Sequence, residues 1–535
     1  MSQSQSNPGS FSLKSRTQSL TRFRVEQFDL LIIGGGITGA AVARDAAYRG
    51  LSVALVEQND FAFGTSSRSS KLIHGGLRYL ENLEFNLVFE ALSERALLLK
   101  TSPHLVRPLP FYFPVFDGAK PPMWKLSLGL WLYDALSLFR SPGFHKRLGR
   151  RKFIEAIPFL NAKKLLGGFL YYDASMWDDR MVIEILRSAQ RRGVASANYV
   201  RAVEPIWEDK LIKGFKVRDQ LDQATSEISI RAKQVIVCAG PWTDEVGGLL
   251  GPQGKWKPVL KPSLGIHLVF DWTRIPVPGA MVMANPSDGR ISFVMPRRDL
   301  GAGVTIVGTT DSPAPSDIGT DSAPGSDVHY LMNLLKQFFP SLHLSISDIL
   351  SHYVGVRPLV NPHQGEGGNS LQKISREHHI DVGPGGVVWV AGGKYTTHRT
   401  MAEEIMNFAA PHTKYKKSTK KPFNLSVNAK SVAQARRVAA VQAIQVPERL
   451  WEEYGAEALD IMSYRKRVDE ILGSSRIPDP EGFPCIYEQF VYHFEYGMVA
   501  RVEDFIRRRV PLFLSRADHG DQWMAGFEKL LKSLA

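Results

Sequence analysis

Apolar residues come in short runs along this chain, and glycines end several of them. The run at 30–33 stops at Gly34, Gly35 and Gly36; small residues with helical spacing follow; a second run at 52–56 ends on Glu57. This order predicts strand, tight turn, helix, strand. A polar loop at 64–71 leads to a helix-like segment at 86–100. Alternation over 195–219 predicts a hairpin, and 234–239 a short buried strand running into Gly240-Pro241-Trp242. Further short strands are expected near 266–270, 280–283, 291–295 and 304–308, and one at 387–390 that stops at Ala391-Gly392-Gly393. After Ser431, apolar residues recur at helical spacing.

Together these pieces predict an α/β protein in three parts. Residues 28–110, 180–250 and 351–410 form a discontinuous Rossmann-like unit, opened by the first βαβ and closed by the glycine turn near residue 390. Residues 111–179 and 251–350 form an inserted unit built on an antiparallel sheet, 411–430 a linker containing the basic stretch 414–421, and 431–535 a helical domain. Residues 1–27 are rich in Ser and Gln, carry Lys14, Arg16, Arg22 and Arg24 against Glu26, and lack the apolar core of a secretory signal. They read as a disordered basic tail or a transit peptide. No run reaches the roughly 20 apolar residues that span a bilayer. The stretch 126–139, interrupted by Asp134 and flanked by Lys125 and Arg140, reads either as a buried core helix or as an interfacial one beside Lys146, Arg147, Arg150, Arg151 and Lys152.

Gly34, Gly36 and Gly39 give the first unit its chemistry. They fill G-x-G-x-x-G: the first allows a tight turn, the second lets a pyrophosphate approach the backbone, and the third lets helix pack on strand. The helix start offers unpaired N–H groups to phosphate, and Glu57 stands where an acid accepts hydrogen bonds from a ribose. Strand, turn, helix and acid in register predict dinucleotide binding. Only Cys238 and Cys485 are present, so there is no disulfide framework, no C-x-x-C, and no thiolate metal site; no metal is expected. The net charge of +13 suits nucleic acid, anionic lipid or an anionic substrate, but no nucleic-acid motif accompanies it.

Several motifs resemble the FAD-dependent glycerol-3-phosphate dehydrogenases. They are TSSRSSKLIHGGLRY at 65–79, GVRPL at 355–359, ISR at 374–376, GGKYTTHR at 392–399, and MVARVEDFIRRRVPLFL at 498–514, which is similar to that family's helical cap. The resemblance covers roughly residues 29–514. The N-terminal tail departs from the family's usual start, and no calcium-binding EF-hand loop follows, which argues against the animal mitochondrial form.

The resemblance implies non-covalent FAD held by Gly34, Gly36, Gly39, Glu57, Thr65, Ser66, Ser67, Ser70, Gly240, Gly392, Gly393 and Thr396. A glycine turn before a helix also suits the charge that develops near flavin N1 and O2 during hydride transfer. The implied reaction oxidises sn-glycerol 3-phosphate to dihydroxyacetone phosphate, with hydride passing from C2 to flavin N5. Arg78, Arg357, Arg376 and Lys394 match the family's cationic positions for the phosphate, and Tyr79 adds a hydroxyl. His267 is expected to be the general base ahead of His74, with Arg357 lowering the alcohol pKa as an alternative. Electrons are expected to pass to a membrane quinone, from a cytoplasmic protein attached peripherally to the inner membrane; a homodimer is left open. Two alternatives remain: an oxidase of the same architecture that reduces oxygen, and a non-catalytic FAD-containing module that binds RNA or protein through its basic surface.

Overall fold

The computed structural model describes residues 10–80, 83–138, 140–222, 227–251, 256–360, 378–414 and 419–534. Strands Gln27–Ile33 and Val53–Val56 and helix Ile37–Arg49 between them form the expected first βαβ. Ile33 stands level with Val56 on one side and Val237 on the other, so parallel strands Gln27–Ile33, Val53–Val56 and Ile228–Val237 end together. Val388–Ala391 extends the sheet beside Ile228–Val237, and Ala195–Ala197 extends it beside Val53–Val56, both parallel. Val53–Val56 and Val388–Ala391 are buried at every position, as unbroken apolar runs in a covered parallel sheet should be. The hairpin predicted at 195–219 is shorter: Val200–Glu208 and Leu211–Asp219 pair with each other, while Ala195–Ala197 belongs to the parallel set.

A second sheet of ten strands carries the inserted unit. It is antiparallel except where Ala280–Ala284 runs parallel to Val106–Phe116. Strand Ile349–Arg357 joins this sheet, antiparallel to Ser263–Asp271, although residues from 351 read as part of the FAD-binding unit. Helix Asp178–Gln190 packs instead on helix Ile37–Arg49 of the first unit. The described residues after 428 that are in regular structure are helical, and Phe490, Phe505 and Phe527 centre their own core.

The described part of the N-terminal segment is not a disordered tail. Residues Leu13–Val25 form a helix, with Phe11 and Phe23 fully buried. Arg16 is also buried: its guanidinium donates to Asp219 at 2.5 and 3.1 Å and to the Asn198 carbonyl at 3.0 Å. A Ser- and Arg-rich composition reads as solvated, but one arginine that finds a buried carboxylate anchors the helix. In the expected linker, the carbonyls of Thr419 and Lys421 accept Arg44, both at 2.9 Å. Among the described residues, no helix is long and apolar enough to cross a membrane.

Candidate active site

A cleft opens where the parallel strands end, the place where open α/β sheets bind ligands. Gly34 has φ 114°, and a Cβ there would strike the Cys238 carbonyl oxygen. Gly39 does not line the cleft. It lets helix Ile37–Arg49 pack down, because a Cβ there would strike the Gly34 carbonyl. Gly36 lines the cleft as the residue before the helix, and a Cβ would sit 3.1 Å from Ser66 Oγ. That hydroxyl accepts the Ile37 N–H at 2.9 Å, so loop 64–67 closes over the helix start. Glu57 accepts the N–H groups of Gly35 at 2.7 Å and Asn59 at 2.8 Å. Burial raises its pKa, against the pull of those two bonds. Its oxygens keep lone pairs for a ribose diol.

The other end is roofed by the second sheet. His267 and Tyr353 are opposed on neighbouring strands, and their rings stack 4.6 Å apart at 8°. Ser70 Oγ lies 2.9 Å from His267 Nε2. His267 Nδ1 is buried and has no hydrogen-bond partner among the described residues. Burial first, then the charges of Arg357 and Lys71, push the imidazole pKa down to about 3. Lys71 is buried behind this site, with Nζ bonded to Asp178, 3.2 Å from the Ser67 carbonyl and 3.7 Å from Asp179. Arg357 points Nη2 at Thr309 Oγ1 (2.7 Å) and the Thr310 carbonyl (3.0 Å), and Nη1 at Ser263 Oγ (3.1 Å) and Asp311 Oδ1 (3.4 Å).

A third wall comes from the turn at Gly392 and Gly393, whose φ angles of 75° and 98° favour glycine. Lys394 and Thr396 line the cleft just before helix His398–Ala409. The Thr396 hydroxyl meets both the N–H and the carbonyl of His74 at 3.4 Å, joining the third wall to the residue that follows strand Leu72–Ile73.

These features together suit FAD. A glycine turn that no side chain could occupy sits at one end with an acceptor carboxylate, and a buried imidazole with an unused nitrogen sits at the other, along one cleft. A family model described as FAD dependent oxidoreductase matches residues 29–405. The glycerol-3-phosphate dehydrogenase of Mycobacterium leprae (strain TN) is 35% identical over 517 residues, covering 94% of this chain and 84% of that one. The aerobic glycerol-3-phosphate dehydrogenase of Staphylococcus epidermidis is 32% identical over 517 residues, covering 94% and 89%. This chain belongs to the FAD-dependent glycerol-3-phosphate dehydrogenase family. The glycerol-3-phosphate dehydrogenase from Bacillus halodurans, solved in complex with FAD, superposes with a TM-score of 0.79 at 29% identity, covering 98% of this chain and 94% of that one. The L-alpha-glycerophosphate oxidase from Mycoplasma pneumoniae shares the fold, with a TM-score of 0.56 at 18% identity over 74% of this chain and 98% of that one.

FAD is therefore the cofactor of this family member. Thr65, Gly240, His74 and Lys394 line the cleft with Gly34, Gly36, Gly392, Gly393, Glu57, Ser66, Ser70, His267, Arg357 and Thr396. Ser67 does not: its carbonyl holds Lys71. Ser70 faces His267 through its hydroxyl. Arg376 lies outside the described residues, as do the side chains of Arg78 and Tyr79, whose backbone forms the short helix Leu77–Leu80. Sequence reasoning missed Lys71, Tyr353 and Asp178. For Tyr353 a signal was present: Tyr353, Gly355 and Arg357 alternate along one strand and so share a face.

Proposed function

We propose that the protein oxidises sn-glycerol 3-phosphate to dihydroxyacetone phosphate, with non-covalently bound FAD as hydride acceptor, and delivers the electrons to a membrane quinone. The observation that carries this reading is His267, buried in the FAD cleft, held by Ser70 and Tyr353, with Arg357 lowering its pKa. His267 lines the cleft, and its neutral imidazole is the group that takes the C2 hydroxyl proton. At about 3 the imidazole is neutral but a weak base, so its pKa must rise when substrate binds. A phosphate dianion near Arg357 offsets that arginine's charge and makes the proton easier to accept. Tyr353 holds the ring plane, and Arg357 supplies a positive potential for the developing alkoxide. Lys394 supplies a second cation at the cleft wall for the phosphate.

The names of the relatives support the substrate, and an outward apolar helix at Met123–Leu136 supports delivery at a membrane. Under anaerobic conditions sn-glycerol 3-phosphate should bleach the bound flavin and glycerol should not. Turnover should then reduce a soluble quinone analogue. Equal bleaching by both alcohols would overturn the substrate, and stoichiometric peroxide would favour an oxidase.

A further inference from the structure

The FAD-dependent oxidoreductase model ends at residue 405, yet the loop bearing Glu57 is gripped by residues about a hundred positions beyond it. Asp60, three residues after Glu57, is fully buried. Its carboxylate accepts Arg508 Nε at 2.6 Å, Arg509 Nη1 and Nη2 both at 2.8 Å, and Asn198 Nδ2 at 3.0 Å. Burial alone would raise the Asp60 pKa, but the two guanidiniums outweigh it and hold the group at about 2. Asp504 accepts the other arm of Arg508 at 3.0 Å and the Tyr199 hydroxyl at 2.6 Å. A second link runs through Phe11. Its ring stacks on Phe61 with centroids 5.7 Å apart, its N–H donates to the Glu495 carbonyl at 3.1 Å, and its carbonyl accepts the Met498 N–H at 2.6 Å.

The same loop is fastened to the glycine turn. Glu57 accepts Gly35 N–H at 2.7 Å, and Ala62 N–H donates to the Gly35 carbonyl at 3.1 Å. Phe61 occupies the space over Gly35, where a Cβ would come within 2.6 Å of the ring. Residues 57–62 thus bridge the phosphate-binding turn and the C-terminal helices.

We propose that the C-terminal helical unit is part of the FAD site: Arg508 and Arg509, acting through Asp60, fix the 57–62 loop in the geometry that receives the nucleotide end of FAD. They are positioning residues, and neither lines the cleft. Removing their charge leaves a carboxylate buried without compensation, and whether it then takes up a proton or moves, the loop loses the bonds that fix it.

The test titrates FAD-free protein with FAD, following flavin fluorescence, and melts the same FAD-free protein. Arg508→Gln/Arg509→Gln should bind FAD roughly tenfold more weakly or worse, and Arg509→Lys, which keeps the charge, should stay within about threefold of wild type. Arg187→Gln breaks another buried contact with the C-terminal unit, 2.7 Å to Glu457, away from the loop. It should lower the melting temperature without changing FAD affinity. The proposal is overturned if the double variant melts cooperatively and binds FAD like wild type, or if Arg187→Gln weakens FAD binding as much. If the double variant has no cooperative melt, Asp60→Asn is measured the same way: wild-type affinity overturns the proposal, and a tenfold or larger loss supports it.

Discussion

Helix Met123–Leu136 buries Leu126, Leu130 and Tyr133 and turns Trp124, Leu128, Trp131 and Leu132 outward, at 70, 64, 62 and 36% exposure. Both faces are apolar, whereas a helix on a soluble surface normally shows water a polar face. Burying a large apolar side chain contributes about 1.5–3 kcal/mol. The four exposures amount to about 2.3 such side chains, so inserting them would contribute about 3.5–7 kcal/mol. That is the range of a single acyl chain, which holds a protein at a membrane only reversibly. A second source of attraction is close by. Strand Lys146–Gly149 follows His145, whose ring meets Trp131 at 4.9 Å, and it brings Lys146 and Arg147 beside the helix, followed by Arg150, Arg151 and Lys152. Each adds up to about 1 kcal/mol near anionic lipid and is screened by salt. Trp124→Asp is the cleaner perturbation, because Trp131 also packs on His145. It should remove about 1–2 kcal/mol of insertion energy, roughly 6- to 30-fold in affinity, before any penalty for the carboxylate. Flotation with anionic vesicles at low and high salt reads this out. Wild type should float at low salt and in part at high salt, and Trp124→Asp at low salt only. Wild type that fails to float at low salt, or equal flotation of the two at high salt, would refute the reasoning.

Gly36→Val should abolish flavin retention in an otherwise folded protein, because the side chain would fill the approach of the pyrophosphate; flavin absorbance after desalting checks it, and acid denaturation of wild type should release FAD without proteolysis. Arg357→Ala should lower kcat/KM for sn-glycerol 3-phosphate by roughly tenfold or more with FAD content intact. It should also move the acid limb of the pH profile upward, since one of two cations that keep His267 unprotonated is gone; an unmoved limb would sink that electrostatic role. His398 is buried and its pKa is depressed to about 4, burial being the main cause. The unfolded chain takes up that proton near pH 6.5 and the folded chain refuses it, so the stability this histidine contributes is complete above about 6.5 and is lost as pH falls toward about 4, at up to ~1.4 kcal/mol per pH unit. His398→Gln should flatten the denaturation midpoint against pH in that window, and parallel curves for variant and wild type would contradict the argument.

The βαβ was legible because its signal is local. Val53–Val56 is an unbroken apolar run, Gly34 needs a positive φ, and Glu57 follows the strand directly. Pairing between distant segments was not legible. Tyr353, Gly355 and Arg357 show by alternation that they share a face, but not that the partner strand is Ser263–Asp271, some ninety residues earlier. The buried Arg16 likewise depends on Asp219, 203 residues away. Composition had no means of separating that arginine from the solvated ones around it.

The segment TSSRSSK shows how far one motif can divide in function. Its hydroxyls read alike as donors for FAD, yet the chain sends them to different places. Ser66 caps the start of the glycine-turn helix. Lys71, with φ 53°, turns the chain so that Ser69 Oγ reaches Asp178 at 2.6 Å, Lys71 Nζ meets the same carboxylate, and Ser70 is left facing His267. A buried lysine needs a carboxylate, and Asp178 comes from the start of helix Asp178–Gln190, so the orientation of Ser70 is decided by an ion pair formed more than a hundred residues away. The end of the site around His267 is therefore set by contacts between the two sheets and their helices, whereas the glycine turn at the other end lies in one stretch of sequence.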